Sequence, residues 1–190
     1  MQLFKYLLEN EKDKLQPPRY AQMYQHVLFL SKYHAKVYKG ESYWEEALLN
    51  QFKQIWQTVC YDGAESLITK YHQDIFECLQ NIRKEVGHND IAMDFNVHTV
   101  DLIEADVLIK KWAGVNLERP LCLECNGPWH YPRNSEEPYG KDILKKRLLG
   151  RMQYLSIAYF DWAILGDQKA KEAYLKDCID NALLSNEEDK

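Results

Sequence analysis

The chain has 190 residues, 46% of them hydrophobic, 28% charged and 13% aromatic. A chain of this size buries about two-thirds of its unfolded surface and supports one domain, or one small domain with a helical extension; the composition excludes disorder, collagen and a coiled-coil rod. The net charge of -5 excludes a wholly basic nucleic-acid coat, and no apolar run approaches the ~20 residues that cross a bilayer, so no membrane contact is expected.

The first half reads as helices. Pro17-Pro18 ends an opening helix of residues 2–15. A second helix, 19–39, carries Ala21, Tyr24, Val27, Leu28, Ser31 and Ala35 at helical spacing and stops at Gly40. Ser42 and Glu45 have capping-box spacing and open a third helix, with Trp44, Leu48, Phe52, Ile55, Trp56 and Val59 along one stripe. After the turn at Asp62-Gly63, a fourth helix turns Leu67, Tyr71, Ile75, Cys78, Leu79 and Ile82 to the core, and Gly87 closes it.

Beyond Gly87 the period shortens. Strands are expected at 91–95, 97–103, 107–112 and 121–125. Gly127-Pro128 breaks the chain, 132–140 is a loop, and Lys141 to Met152 is a helix. Tyr154 to Phe160 is apolar throughout and reads as a strand buried on both faces. Asp167 caps a last helix running to Leu184, and 185–190 is a charged tail. The organisation expected is a helical region 1–87, a small mixed-sheet domain 88–184, and the tail: an α+β or α/β fold. The helix 141–152 would be the crossover that a parallel strand pair requires.

Charge follows this division unevenly. Residues 61–118 are net -6 and 161–190 net -4, whereas 119–160, with seven basic and four acidic residues, are net +3. Such a patch can hold a polyanion although the whole chain is acidic, because phosphate contacts act over about one Debye length. The cysteines, Cys60, Cys78, Cys122, Cys125 and Cys178, are odd in number and irregular in spacing, which points away from a disulfide framework and toward a reducing compartment. The lone Cys122–Cys125 pair lacks the partners of a zinc site and reads as buried cysteine. Met1 to Glu9 has neither the apolar core and cleavage site of a secretory signal nor the Arg/Ser-rich make-up of a transit peptide.

Chemistry concentrates between 121 and 151. In the strand 121–125, alternation puts Cys122, Glu124 and Asn126 on one face and Leu121, Leu123 and Cys125 on the other. A carboxylate in an apolar strand costs several kcal/mol unless it is paired, hydrated or metal-bound. Glu124 therefore either pairs with an Arg or Lys inside the fold, or joins Asp101, with Asp94 and Asp106 as competing positions, to hold a divalent cation such as Mg²⁺. Downstream, Trp129, His130 and Tyr131 stand at the strand's end, where rings stack on unpaired bases or else lie under the loop as core. His130, beside a carboxylate, is a candidate titrating or hydrogen-bonding group. Arg133, Lys141, Lys145, Lys146, Arg147 and Arg151 follow with few acidic partners, and together they read as a phosphate-binding surface.

Leu123-Glu124-Cys125-Asn126-Gly127-Pro128-Trp129-His130-Tyr131 resembles the Leu/Ile-Glu-x-Asp/Asn-Gly-Pro-x-His-Phe/Tyr segment of the RAP domain family. Gly140-Lys141, the run Leu144 to Leu149, and Leu155 to Trp162 are similar to further motifs of that family, in the same order, with Ala158 where proline is common. The resemblance covers about residues 88–184. It implies an RNA-binding factor of mitochondria or plastids, with helical hairpins ahead of the domain. The RAP domain is itself similar to restriction-endonuclease-like nucleases. By that resemblance Asp101 and Glu124 would be the acidic pair, and Asn126 stands where the catalytic lysine falls. Asparagine cannot supply the lysine's charge, so the expectation is a non-catalytic protein that needs no cofactor. It would hold organellar RNA, with rRNA of a mitochondrial ribosome foremost because a helical half this short suits no long repeat array. Its partners would be RNA and neighbouring ribosomal proteins, and no DNA is expected. The alternative is a metal-dependent endonuclease of organellar RNA processing, built on Asp101, Glu124 and His130. A third expectation is a scaffold whose acidic stretches face a basic partner.

Overall fold

A computed structural model of the chain describes residues 28, 50, 53, 54, 69–99, 103–149 and 152–185. Contacts divide the chain into two units, Met1–Glu65 and Ser66–Lys190. Of the first, Leu28, Asn50, Lys53 and Gln54 are helical; the rest of the expected helices 2–15, 19–39 and 42–60, and the Asp62-Gly63 turn, lie outside the described residues, as do Asp101, Arg151 and 186–190. Among the described residues no helix is long and apolar enough to cross a membrane.

The second unit opens with α1, Lys70–Val86. Thr69 caps it, its Oγ1 accepting from the backbone N–H of His72, and Gly87 ends it at φ 128, a conformation only glycine takes without strain. The α1 residues Ile75, Cys78, Leu79 and Ile82 are fully buried, as the helical spacing predicts. They pack against the sheet, so this helix belongs to the core of the mixed domain.

Four strands follow: β1 Ala92–His98, β2 Glu104–Trp112, β3 Val115–Asn126 and β4 Gln153–Ala158. They lie in that spatial order, β1–β2 and β2–β3 antiparallel and β3–β4 parallel. The α+β expectation with a mixed sheet thus holds. Between β3 and β4 the chain passes through a 3-10 turn, Pro128–His130, and α2, Gly140–Leu148. After β4 come α3, Tyr159–Ala163, and α4, Gln168–Leu184, capped by Asp167, whose Oδ1 accepts from Ala170 N at 2.8 Å.

Several boundaries differ from expectation. The two strands read at 91–95 and 97–103 are one strand through Asn96, which takes φ 49, and Ile103 stands outside it. The strand expected at 121–125 begins at Val115. Ala113 (φ 46) and Gly114 (φ 83) form a two-residue hairpin turn, with Trp112 paired to Val115. Pro120 hid this continuity. It falls where the register slips, between the pairs Lys111↔Asn116 and Ile109↔Leu121, so no ladder bond needs its missing N–H. The strand read at 154–160 stops at Ala158, and α2 stops at Leu148 rather than Met152.

Side-chain alternation gives the sheet two unlike faces. Met93, Val107, Ile109, Leu121, Leu123, Cys125 and Ile157 join the α1 residues with Leu175 and Ile179 of α4 in one buried cluster. Tryptophan N–H groups at its margins are satisfied: Trp112 donates to Asp180 and Trp162 to Asp74, each at 2.7 Å. Asp74 also accepts from Lys171 at 2.5 Å, which ties α1, α3 and α4 together. The opposite face of β3, with Cys122, Glu124 and Asn126, lies toward α2.

Candidate functional site

Glu124 is 2% exposed, and its partner comes from the next helix. The Lys145 ammonium donates to Oε2, and the Cys122 thiol donates to Oε1 at 3.4 Å. Of the two expectations for this carboxylate, internal pairing with a lysine is the one the structure shows. Lys145 is correspondingly turned inward, unlike Lys141, Lys146 and Arg147, which are exposed on the same helix.

Asp106, one of the competing positions for Asp101, stands one residue beyond the last β2–β3 pair, Val107↔Leu123. Where the ladder ends, its Oδ2 accepts from Cys125 N at 2.7 Å, and His72 Nε2 of α1 lies 3.6 Å from the same oxygen. His72 Nδ1 is 2.6 Å from Thr69 Oγ1. Asp106, His72 and Cys125 bring a carboxylate oxygen, a ring nitrogen and a thiol within 4.8 Å of one another, a set that could hold a metal ion.

Two acids and one lysine divide their protons unequally. Burial pushes Glu124 up to about 7; Lys145 opposes this and Asp106 reinforces it. Burial acts in the same sense on Asp106, but the neighbouring His72 ring, the Lys145 charge and the Cys125 N–H outweigh it and hold the carboxyl below its usual range. For Lys145, burial favours the neutral amine, yet the Glu124 charge prevails and the ammonium is held above its ordinary value. Asp106 therefore stays ionised while Glu124 titrates near neutrality.

Asn126, 3% exposed, donates from Nδ2 to Ser156 Oγ at 2.7 Å across the parallel pair. Gly127-Pro128 then turns the chain out of the sheet, and the three sequence-predicted rim residues part company. Trp129 is 84% exposed. Tyr131 is buried against Tyr159 and Phe160, with ring centroids 5.9 and 5.2 Å away, so it is core under the loop. His130 is half-buried, its Nδ1 2.9 Å from Asp142 Oδ1 of α2 and its carbonyl accepting from Tyr139 N at 2.9 Å. These bonds tie the 3-10 turn to the start of α2.

The exposed cations Arg133, Lys141, Lys146 and Arg147 thus share the segment that presents Trp129. Lys146 Nζ lies 5.6 Å from the centre of the Tyr154 ring. Beside it opens a cleft of about 370 Å³, bordered by Asn126, Ser156, Tyr131, Asp142 and Lys146. Asp142 and Ser156 carried no signal in the sequence. Asp142 is twelve residues from its histidine partner and sits in a basic run, and Ser156 lies in an apolar strand.

Residues 123–178 match the RAP domain family model, a stretch that takes in the end of β3, α2, β4, α3 and most of α4. This stretch is similar to the RAP domain, a domain associated with RNA binding. No curated protein matches the chain.

Proposed function

We propose that this domain holds RNA without cleaving it. The observation that carries the reading is the pairing of an 84% exposed tryptophan with a surface of exposed cations, Arg133, Lys141, Lys146 and Arg147, presented by one loop and one helix. The cations supply sequence-independent attraction for the phosphates, and Trp129 supplies a stacking platform for an unpaired base. Lys145 contributes through Glu124: by neutralising that carboxylate it keeps a buried negative charge from opposing the RNA. The RNA we assign is organellar, with mitochondrial rRNA first and a plastid transcript second, and the partners are neighbouring proteins of a ribonucleoprotein particle. This finer reading is supported by the family resemblance of residues 121–162. Crosslinking native protein to RNA in cells and sequencing the adducts tests it. One recovered rRNA segment supports the particle, and scattered messenger fragments contradict it.

One feature favours a second reading. Asn126 cannot act as the lysine of a nuclease, but Lys145 reaches Glu124 from α2, with Asp106 close by. Metal-dependent hydrolysis needs a cation, an activated water and a group that stabilises phosphate charge. Asp106 and Glu124 could hold the cation and Lys145 could supply the charge. Incubation of labelled RNA and DNA with Mg²⁺ or Mn²⁺ separates the two. The RNA-holding reading expects no products, and products that vanish in Glu124→Ala would replace it with the nuclease.

A further inference from the structure

The cleft beside α2 has mixed walls. Tyr131, Tyr154 and Phe160 make it aromatic, while Asn126, Ser156 and Asp142 bring polar groups to one place. Its volume, about 370 Å³, lies within the ~300–1,000 Å³ of small-ligand sites. Asp142 carries the decisive atom. The residue is 7% exposed, and its Oδ1 is engaged by His130 at 2.9 Å. Its Oδ2 is buried and has no hydrogen-bond partner among the described residues. A buried carboxylate oxygen without a donor is costly, so on a residue that lines a cleft it marks a place where a ligand donor belongs, reached when the carboxylate turns toward the cleft.

We propose that this cleft receives one unstacked nucleobase bearing an exocyclic amine, cytosine or adenine, whose amine donates to Asp142 Oδ2. The proposal rests on the RNA-binding reading above. The lining chemistry selects a base over a phosphate, because Asp142 and Glu136 place two carboxylates there against the single ammonium of Lys146. The aromatic walls suit a flat ring. Ser156 Oγ accepts from Asn126 Nδ2 and so retains its own O–H as a donor, the complement of a ring nitrogen beside an amine. Uracil would turn a carbonyl oxygen toward the carboxylate, two acceptors facing each other, and is rejected. Lys146 and Trp129 would then take the flanking phosphate and the next base.

The test compares oligocytidylate and oligouridylate of equal length in fluorescence anisotropy with the full chain at low salt. Cytidylate should bind about tenfold more tightly, the size of one satisfied against one unsatisfied buried polar group. Asp142→Asn, which offers an amide in place of the carboxylate oxygen, should close the gap. Ser156→Ala, at an exposed position but leaving Asn126 Nδ2 without its acceptor, should narrow it and serves if the first variant does not fold, with circular dichroism to check its own fold. Equal wild-type affinities for the two oligomers overturn the base pocket while leaving RNA binding by charge intact. A gap that persists in both variants overturns the assignment of these groups. Absence of binding to either oligomer overturns the RNA-binding reading and the pocket with it.

Discussion

Replacing Lys145 by methionine keeps the aliphatic stem and deletes the ammonium. Glu124, 2% exposed, is then left among the described residues with the Cys122 thiol at 3.4 Å. Breaking a buried pair from one side costs about 3–5 kcal/mol, because an uncompensated charge remains inside. The carboxyl has an escape, however. Burial already raises it to about 7, against 4.5 for the free side chain, and without Lys145 it keeps its proton still more readily. The sign follows from linkage. A carboxyl whose folded pKa exceeds its unfolded value binds more protons when folded, so its effect on stability becomes less favourable as pH rises from about 4.5 through about 7 and then levels off. The Lys145→Met penalty should therefore be larger near pH 8 than near pH 5, by up to about 1.4 kcal/mol for a wild-type carboxyl at about 7. Urea unfolding followed by circular dichroism at the two pH values measures it. Glu124→Gln should flatten the native pH dependence between these limits. The double variant should recover much of the single loss, with a coupling of about 1–3 kcal/mol. A penalty independent of pH, or strict additivity, would refute the assignment of this pair.

Trp129→Ala should leave stability within about 0.5 kcal/mol, since the side chain is 84% exposed, but weaken RNA binding by about 1–3 kcal/mol for the lost base stack; melting curves and anisotropy read the two effects separately. Combined alanine substitution of the exposed Lys141, Lys146 and Arg147 should lower the slope of log affinity against log salt by about 0.7 for each phosphate contact removed, and an unchanged slope places the RNA elsewhere. Leu175→Ala should cost about 2–5 kcal/mol in urea unfolding, because the side chain is fully buried in the α1–sheet–α4 cluster, and a loss under 1 kcal/mol would mean that α4 does not close that core.

What was legible in the sequence is what short-range physics encodes. Ile75, Cys78, Leu79 and Ile82 announce a buried helix face by spacing alone, and Gly87 and Asp167 mark helix ends because their local chemistry is specific. The parallel β3–β4 pair was legible from chain length, since a helix between two apolar strands leaves few other topologies. Where tertiary contacts decide, the signal faded. Ala113 adopts a left-handed turn that Asn or Asp usually announces, and Pro120 sits harmlessly in a register slip, so the first half of β3 went unread. Alternation put Glu124 and Asn126 on one face, but it could not say that Lys145 would turn in while Lys146 turns out. Trp129 and Tyr131, two residues apart with similar chemistry, end on opposite sides of the surface. Asp142 gains its meaning from His130 and from the cleft residues Asn126 and Ser156, none of which is close to it in the chain.

The central claim is that RNA lies against the Pro128–His130 turn and the exposed side of α2. Ultraviolet crosslinking of the full chain to single-stranded RNA, with the nucleotide-bearing peptides mapped by mass spectrometry, measures this directly. The account predicts adducts on Trp129 and on the peptide carrying Lys146 and Arg147. Adducts confined to α1 or α4, or none at low salt, contradict it.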